Sequence, residues 1–178
     1  SHPQVYQLHP GVSFEEGPFH ALATSAAGWT QALEITASDR IAILGQGLVG
    51  NLVMQFAKRF RPEQLIAVDT LDLRCRLAGD VGAPEVVNAS LEDPVEAIKR
   101  LTCGEGASIV VDCVGGPAGI ASFEQAQQMV SSGGLIQVNG KYQNAPLPLD
   151  VDNYQGKRVM VSYPPSTNRA EIARTAMA

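Results

Sequence analysis

The chain has 178 residues, 45% of them hydrophobic and 17% charged, enough for one full hydrophobic core. Its formal net charge of -5, with no cluster of Lys and Arg, argues against a nucleic-acid surface or an anionic membrane face, since either would need concentrated positive charge. Three cysteines without CxxC spacing argue against a disulfide framework or a self-contained zinc site, and Cys75, Cys103 and Cys113 read as structural thiols. There is no apolar run of about 18 residues and no signal-peptide pattern, so the expectation is a cytoplasmic chain with no membrane partner. In chain order, residues 1–20 carry three prolines and no sustained period, and predict a connector from a preceding domain. The small residues of "ALATSAAGWTQAL" predict a closely packed helix over 21–33. Strands and helices then alternate: strand "RIAILG", helix 49–60, strand "QLIAVD", helix 71–81 and short strand "EVVN". The second half repeats the rhythm with helix "PVEAIKRLT", strand "SIVVDCV", helix "IASFEQAQQMV", strand "LIQVNG" and strand "RVMVSY". A last helix opens at Asn168 and has no glycine cap or proline stop, which predicts that the domain of residues 21–178 is truncated at its C-terminus.

Strands such as "IAIL" and "IVVDCV" are nearly continuous apolar runs, as expected where helices cover both faces of a parallel sheet. The pattern predicts a three-layer, doubly wound α/β Rossmann fold with a six-stranded, mostly parallel sheet. Between the first strand and the following helix stands "GQGLVG", a GxGxxG turn. Gly45 permits the tight turn, Gly47 lets a pyrophosphate approach the backbone, and Gly50 lets helix and strand pack closely. Gln46, Leu48 and Val49 complete a candidate phosphate cradle at a helix N-terminus, where free N–H groups and the helix dipole favour an anion. Asp69 ends the next strand nineteen residues after Gly50, the place of the acid that accepts the adenosine ribose hydroxyls. Its charge would repel a 2′-phosphate, so the cofactor expected is NAD rather than NADP. Thr70 adjoins it. Arg74 could pair with a 2′-phosphate, reach the ribose, or pack along its helix.

These blocks, "GQGLVG", "VDTLDLRCRLAGDVGAPEVVN", "LTCGEGASIVVDCVGG" and "GGLIQVNG", resemble the cofactor-binding domain of the medium-chain dehydrogenases/reductases, the superfamily of alcohol, polyol and threonine dehydrogenases. The resemblance covers the chain from about Val12 onward, and "GQGLVG" with a following "VD" is most similar to the zinc-dependent branch. It implies hydride transfer between a nicotinamide and a small alcohol or carbonyl substrate. It also implies a missing partner, a catalytic domain preceding this segment that supplies most of the substrate pocket and most zinc ligands. By the same resemblance, Val114 and Gly115 cover the cofactor's riboses, and Asn139, Gly140 and Lys141 hold the carboxamide through backbone groups. Thr24 lies where the family often packs a small or hydroxyl residue behind the nicotinamide, and an ordinary helix-interior Thr is the alternative. His20 stands where zinc-dependent relatives place a ligand from the cofactor-domain side, which makes it the candidate metal ligand. An imidazole can serve there, although Ala21 replaces the family's common proline and an interdomain hydrogen-bonding role is the alternative.

Other readings stay open on sequence alone. "VGG" also fits a plain strand-ending turn. A non-catalytic nucleotide-sensing Rossmann module and an S-adenosylmethionine-dependent methyltransferase share a comparable glycine turn, and a zinc-free quinone or enoyl reductase shares most of the blocks. The strand "RVMVSY" at a sheet edge offers a surface for a homo-oligomer. The chain by itself is expected to bind a cofactor without turning over an alcohol.

Overall fold

The computed structural model describes residues 10–141, 146–154, 156–161 and 172. Alternation of strand and helix produces the predicted layered architecture. Helix α1 (His20–Gln31) leads into strand β1 (Arg40–Leu44), and α2 (Leu48–Lys58) returns to β2 (Gln64–Asp69). Next come α3 (Asp72–Asp80), β3 (Glu85–Asn88), α4 (Pro94–Leu101) and β4 (Ala107–Asp112). The chain continues through α5 (Gly119–Met129), β5 (Val130–Val138), α6 (Val151–Tyr154) and β6 (Arg158–Val161). The six strands form one sheet in the order β3-β2-β1-β4-β5-β6. Every strand pairing is parallel, where a mostly parallel sheet was expected.

The order places β1 and β4 side by side although most of the first half of the fold lies between them in sequence, and this is the switch point of a doubly wound sheet. Two apolar layers fill the spaces above and below, because successive strand residues point to opposite faces. Ala42 and Leu44 of β1 join Val95 and Ile98 of α4 and Phe123 and Met129 of α5 in one layer. Ile41 and Ile43 join Ala26 of α1 and Val53, Met54 and Ala57 of α2 in the other. The spacing Gly50, Val53, Met54, Ala57 is the buried stripe of α2. Helix α4 starts where Asp93 caps it: the carboxylate accepts from Val95 N–H at 2.8 Å and Glu96 N–H at 3.2 Å, with Pro94 in the first turn.

Two boundaries differ from expectation for visible reasons. Strand β5 begins at Val130, five residues before Leu135, because Ala107↔Val130 already pair. The register then shifts before Ile109↔Leu135, and Gly133 and Gly134 sit within that irregularity rather than ahead of the strand. Helix α1 starts at His20, immediately after a single 3-10 turn at Gly17–Phe19 that lies within the predicted connector. Strand β6 closes one side of the sheet; Ser162 and Tyr163, the predicted end of that strand, lie outside the described residues, as does the helix expected from Asn168 except for Ile172.

Candidate functional site

The carboxyl ends of β1, β2 and β4 open onto a cavity of about 700 Å³. Its floor is the glycine turn, and the three glycines have three different physical reasons. Gly45 has φ +82°, a backbone conformation that an L side chain enters only with strain, and its N–H donates to Val68 C=O at 2.8 Å to fasten the turn to β2. Gly50 has no room: a Cβ would stand 1.7 Å from the Gly45 carbonyl oxygen. Gly47 is constrained by neither. Its φ is -66°, and a Cβ there would meet only the Arg74 guanidinium, at an ordinary 3.8 Å. The chain's own packing gives no reason for glycine at 47, and the space above it belongs to the cavity that Gly47 lines.

Gly47 is also the N-cap of α2 and supplies no side-chain hydrogen bond to the helix. The first-turn N–H groups of this eleven-residue helix therefore keep free donors and the positive end of the helix dipole. Bare donors next to an unobstructed backbone fit an anionic diphosphate.

Asp69 ties the turn to the wall. It is 6% exposed, and its Oδ2 accepts the Gln46 N–H at 2.6 Å while Oδ1 accepts the Leu71 N–H at 2.9 Å. Both bonds keep the carboxylate an acceptor held in one orientation at the cavity edge. Arg74 Nη1 lies 3.6 Å from Asp69 Oδ2, on the solvent side. On the far flank, the ends of β4 and β5 are stitched together. Asn139 and Gly140 N–H groups donate to Asp112 C=O at 2.8 and 3.0 Å, and Gly116 N–H donates to Lys141 C=O at 2.8 Å. A Cβ on Gly115 would stand 3.0 Å from that same Lys141 oxygen. The fully buried Asp112 carboxylate accepts from Ser122 Oγ at 2.8 Å and Val114 N–H at 3.1 Å, which fixes the loop after β4. Burial, first, and the neighbouring Asp112 charge push the Cys113 thiol up to about 12, so it stays protonated in the cavity wall.

The cavity gathers Gly45, Gly47, Leu48, Val49, Asp69, Thr70, Arg74, Val114 and Gly115 of the residues expected from sequence. It does not gather all of them. Gln46 is buried and turned inward, its Nε2 donating to Ile43 C=O at 2.9 Å, so it braces the turn. Gly50 is a packing contact. Thr24 is 3% exposed and its hydroxyl donates back to His20 C=O at 2.8 Å, while Leu22 of the same helix reaches the cavity instead. Asn139, Gly140 and Lys141 stand behind the Gly115 loop rather than in the lining. His20 opens α1, and among the described residues no group of three or more His, Cys, Asp or Glu side chains is arranged to hold a metal. Sequence reasoning missed Ala89, Cys113, Ala118, Ala121, Ser122 and Gln125. Ala121, Ser122 and Gln125 share one face of α5, with Ala118 in the turn just before it, a signal that becomes visible only once that helix is known to border the cavity.

Comparisons with known proteins agree with this geometry. The family model described as Zinc-binding dehydrogenase matches residues 49–177. L-threonine 3-dehydrogenase of Bacillus licheniformis is 32% identical over 119 residues, which are 67% of this chain and 33% of that protein. Sorbitol dehydrogenase of Bacillus subtilis is 30% identical over 151 residues, 83% of this chain and 41% of that protein. The structure of alcohol dehydrogenase TADH from Thermus sp. ATN1 superposes with a TM-score of 0.80 at 26% identity, covering 97% of this chain and 49% of that one. The chain thus spans between a third and a half of the length of these relatives.

Proposed function

The chain belongs to the zinc-binding dehydrogenase family, and on that premise we propose that its glycine-turn cavity binds NAD for hydride transfer to or from a small alcohol or carbonyl compound. The observation that carries the reading is Gly47, a glycine that no protein atom requires, placed at the uncapped N-terminus of α2. In this reading the α2 N–H groups hold the diphosphate and Asp69 receives the adenosine ribose hydroxyls. Its two backbone hydrogen bonds support the role, because a carboxylate already held in place binds without losing further side-chain entropy. The same charge disfavours a 2′-phosphate, which supports NAD over NADP, and Arg74 on the solvent side only partly offsets it. When bound, the nicotinamide supplies the ring carbon that exchanges hydride. The loop Val114–Gly115, backed by the ends of β4 and β5, would position that ring, because the Asp112 bonds leave the loop little freedom.

Residues 21–178 are proposed to be the cofactor half of a division of labour, with the substrate's polarising group supplied from outside this segment. The coverage of 33% of the threonine dehydrogenase supports this. The described residues make no metal site by themselves. His20 is proposed as one donor to a metal whose other ligands lie elsewhere. Metal content and activity of the full-length protein, compared with His20→Ala, test that role, and unchanged values for both would end it.

A fluorescence titration of the full chain with NADH and NADPH tests the main reading. The expected outcome is at least roughly tenfold tighter NADH binding, with the preference lost in Asp69→Ser, in line with about 1.5–3 kcal/mol for a charged hydrogen bond. Equal or reversed affinities would overturn the NAD assignment. Alcohol-dependent NADH production by these 178 residues alone would overturn the division of labour.

A further inference from the structure

The flank of the cavity beyond the glycine turn is one face of α5. Ala121, Ser122 and Gln125 line it, Ala118 precedes them in the turn that leads into the helix, and Ala89 after β3 completes that side. The alanines keep side-chain bulk on this flank small, which leaves room for a ring system. Polar groups are few there. Ser122 is already committed, since its hydroxyl donates to Asp112 Oδ1 at 2.8 Å. Gln125 is partly buried, and its carboxamide makes no hydrogen bond to the described residues. A flexible amide with both a donor and an acceptor, left unengaged in a cavity wall, has the chemistry of a recognition group.

This inference rests on the reading that Asp69 marks the adenosine ribose. We propose that Gln125 is a specificity-determining residue that reads the adenine edge. Its Oε1 accepts from the exocyclic amino group and its Nε2 donates to the adjacent ring N7. Adenine presents that donor and acceptor side by side, and a carboxamide is their complement, as it is for Asn and Gln on adenine in nucleic acids. Hypoxanthine, which carries an oxygen in place of the amino group, presents two acceptors along that edge and satisfies only half of the amide. A site that loses one partner of a buried pair discriminates more sharply than one that only changes shape.

The test is a fluorescence titration of the full chain with NADH and with reduced nicotinamide hypoxanthine dinucleotide, in wild type, Gln125→Met and Gln125→Glu. Wild type is expected to favour NADH by about tenfold. Gln125→Met keeps the length of the side chain but has no amide, and is expected to bring the ratio to within about twofold at an unchanged thermal midpoint. Gln125→Glu keeps the acceptor and replaces the donor with charge, so it weakens both ligands yet preserves or widens the ratio. A wild-type ratio near one, a ratio that survives in Gln125→Met, or equal ratios in the two variants overturns the proposal. In those outcomes tight NADH binding leaves the cofactor site standing. If wild type binds neither dinucleotide, the site reading fails and this inference goes with it.

Discussion

Two cavities of nearly equal size lie at opposite ends of the sheet, about 700 Å³ at the carboxyl ends of the strands and about 680 Å³ at the amino ends. The second is lined by Asp39, Ser108, Gly133, Gly134 and Arg158 among others, and it is no less polar. Of its two acids, Glu34 and Asp39, the second is engaged within the protein, as Asp69 is at the carboxyl end. Asp39 Oδ2 accepts from Thr36 N–H at 2.7 Å and from the Thr36 hydroxyl at 2.8 Å, and Oδ1 accepts from Ser108 Oγ at 2.7 Å. Ser108 Oγ in turn accepts the Arg40 N–H at 3.0 Å. At the carboxyl end, α2 presents bare first-turn donors and Gly47 leaves the approach open. The cause is the wiring of a parallel sheet, in which each strand feeds a helix whose positive N-terminus lies at the strand's carboxyl edge. Volume therefore does not tell the two cavities apart in this molecule, whereas the open N-terminus of a helix at the carboxyl end does.

The largest effect expected from that difference is at Gly50. Gly50→Ala places a methyl carbon 1.7 Å from the Gly45 carbonyl oxygen, a backbone atom that cannot swing aside as a side chain could. Thermal unfolding should show a loss on the order of 3 kcal/mol or more, and NADH binding should vanish with it. Gly133→Ala at the other cavity is the control: no atom lies within 4 Å of its Cβ, but φ is +73°. A strain cost of about 1–2 kcal/mol with undiminished NADH affinity is expected there. If Gly133→Ala impaired binding as much as Gly50→Ala, the two ends would not be separable.

The carboxylates rank next. Asp69→Ala removes the acceptor for the Gln46 and Leu71 N–H groups, and should cost about 1.5–3 kcal/mol of stability as well as NADH affinity. Asp39→Ala should cost about 1–3 kcal/mol of stability and leave NADH affinity where it was. Gly47→Ala inverts the pattern. With φ at -66° and ordinary contacts, stability should change by no more than about 1 kcal/mol, whereas NADH affinity should fall about tenfold, or about 1.4 kcal/mol. Denaturant unfolding and titration of the same samples would check both, and unchanged affinity in Gly47→Ala would remove the main support for the site.

The same contrast explains what was legible in the sequence. Strands β1, β2 and β4 were readable because burial on both faces leaves continuous apolar runs, and Gly45, Gly50 and Asp69 because steric demand and charge limit the residues that can stand there. Gln46 is expected in the phosphate cradle, yet its side chain turns to Ile43 C=O, because a motif fixes a position but not the direction of a side chain. The start of β5 was hidden because Gly133 and Gly134 look like a loop and are a register shift. Gln125 was invisible for another reason. It lines the cavity only because the fold brings α5 and the residue after β3 to one cavity, a juxtaposition of distant segments that no local pattern encodes.

The smallest effect is a pair of opposite pH signatures. At the amino end, burial alone would push the Asp39 carboxyl up, but the Thr36 N–H and the Ser108 and Thr36 hydroxyls together hold it below its usual value of 3.8. A depressed folded-state pKa contributes stability above about pH 4 that is lost as pH falls through the folded value. At the carboxyl end the sign reverses. Cys113 rises from 9.0 to about 12 through burial and the Asp112 charge, so folding favours the neutral thiol. The stability it carries is complete below about pH 9 and declines as pH rises from there toward 12. Thermal midpoints measured across pH should therefore show Asp39→Asn flattening only the acid limb and Cys113→Ala flattening only the alkaline limb. Saturating NADH should shift the whole Cys113→Ala profile upward without restoring the alkaline slope, because the cofactor adds binding energy but not a thiol to titrate. An alkaline limb that keeps its wild-type slope in Cys113→Ala would mean that the thiol at the cavity wall is not held neutral by burial, and that end of the molecule would lose its distinguishing signature.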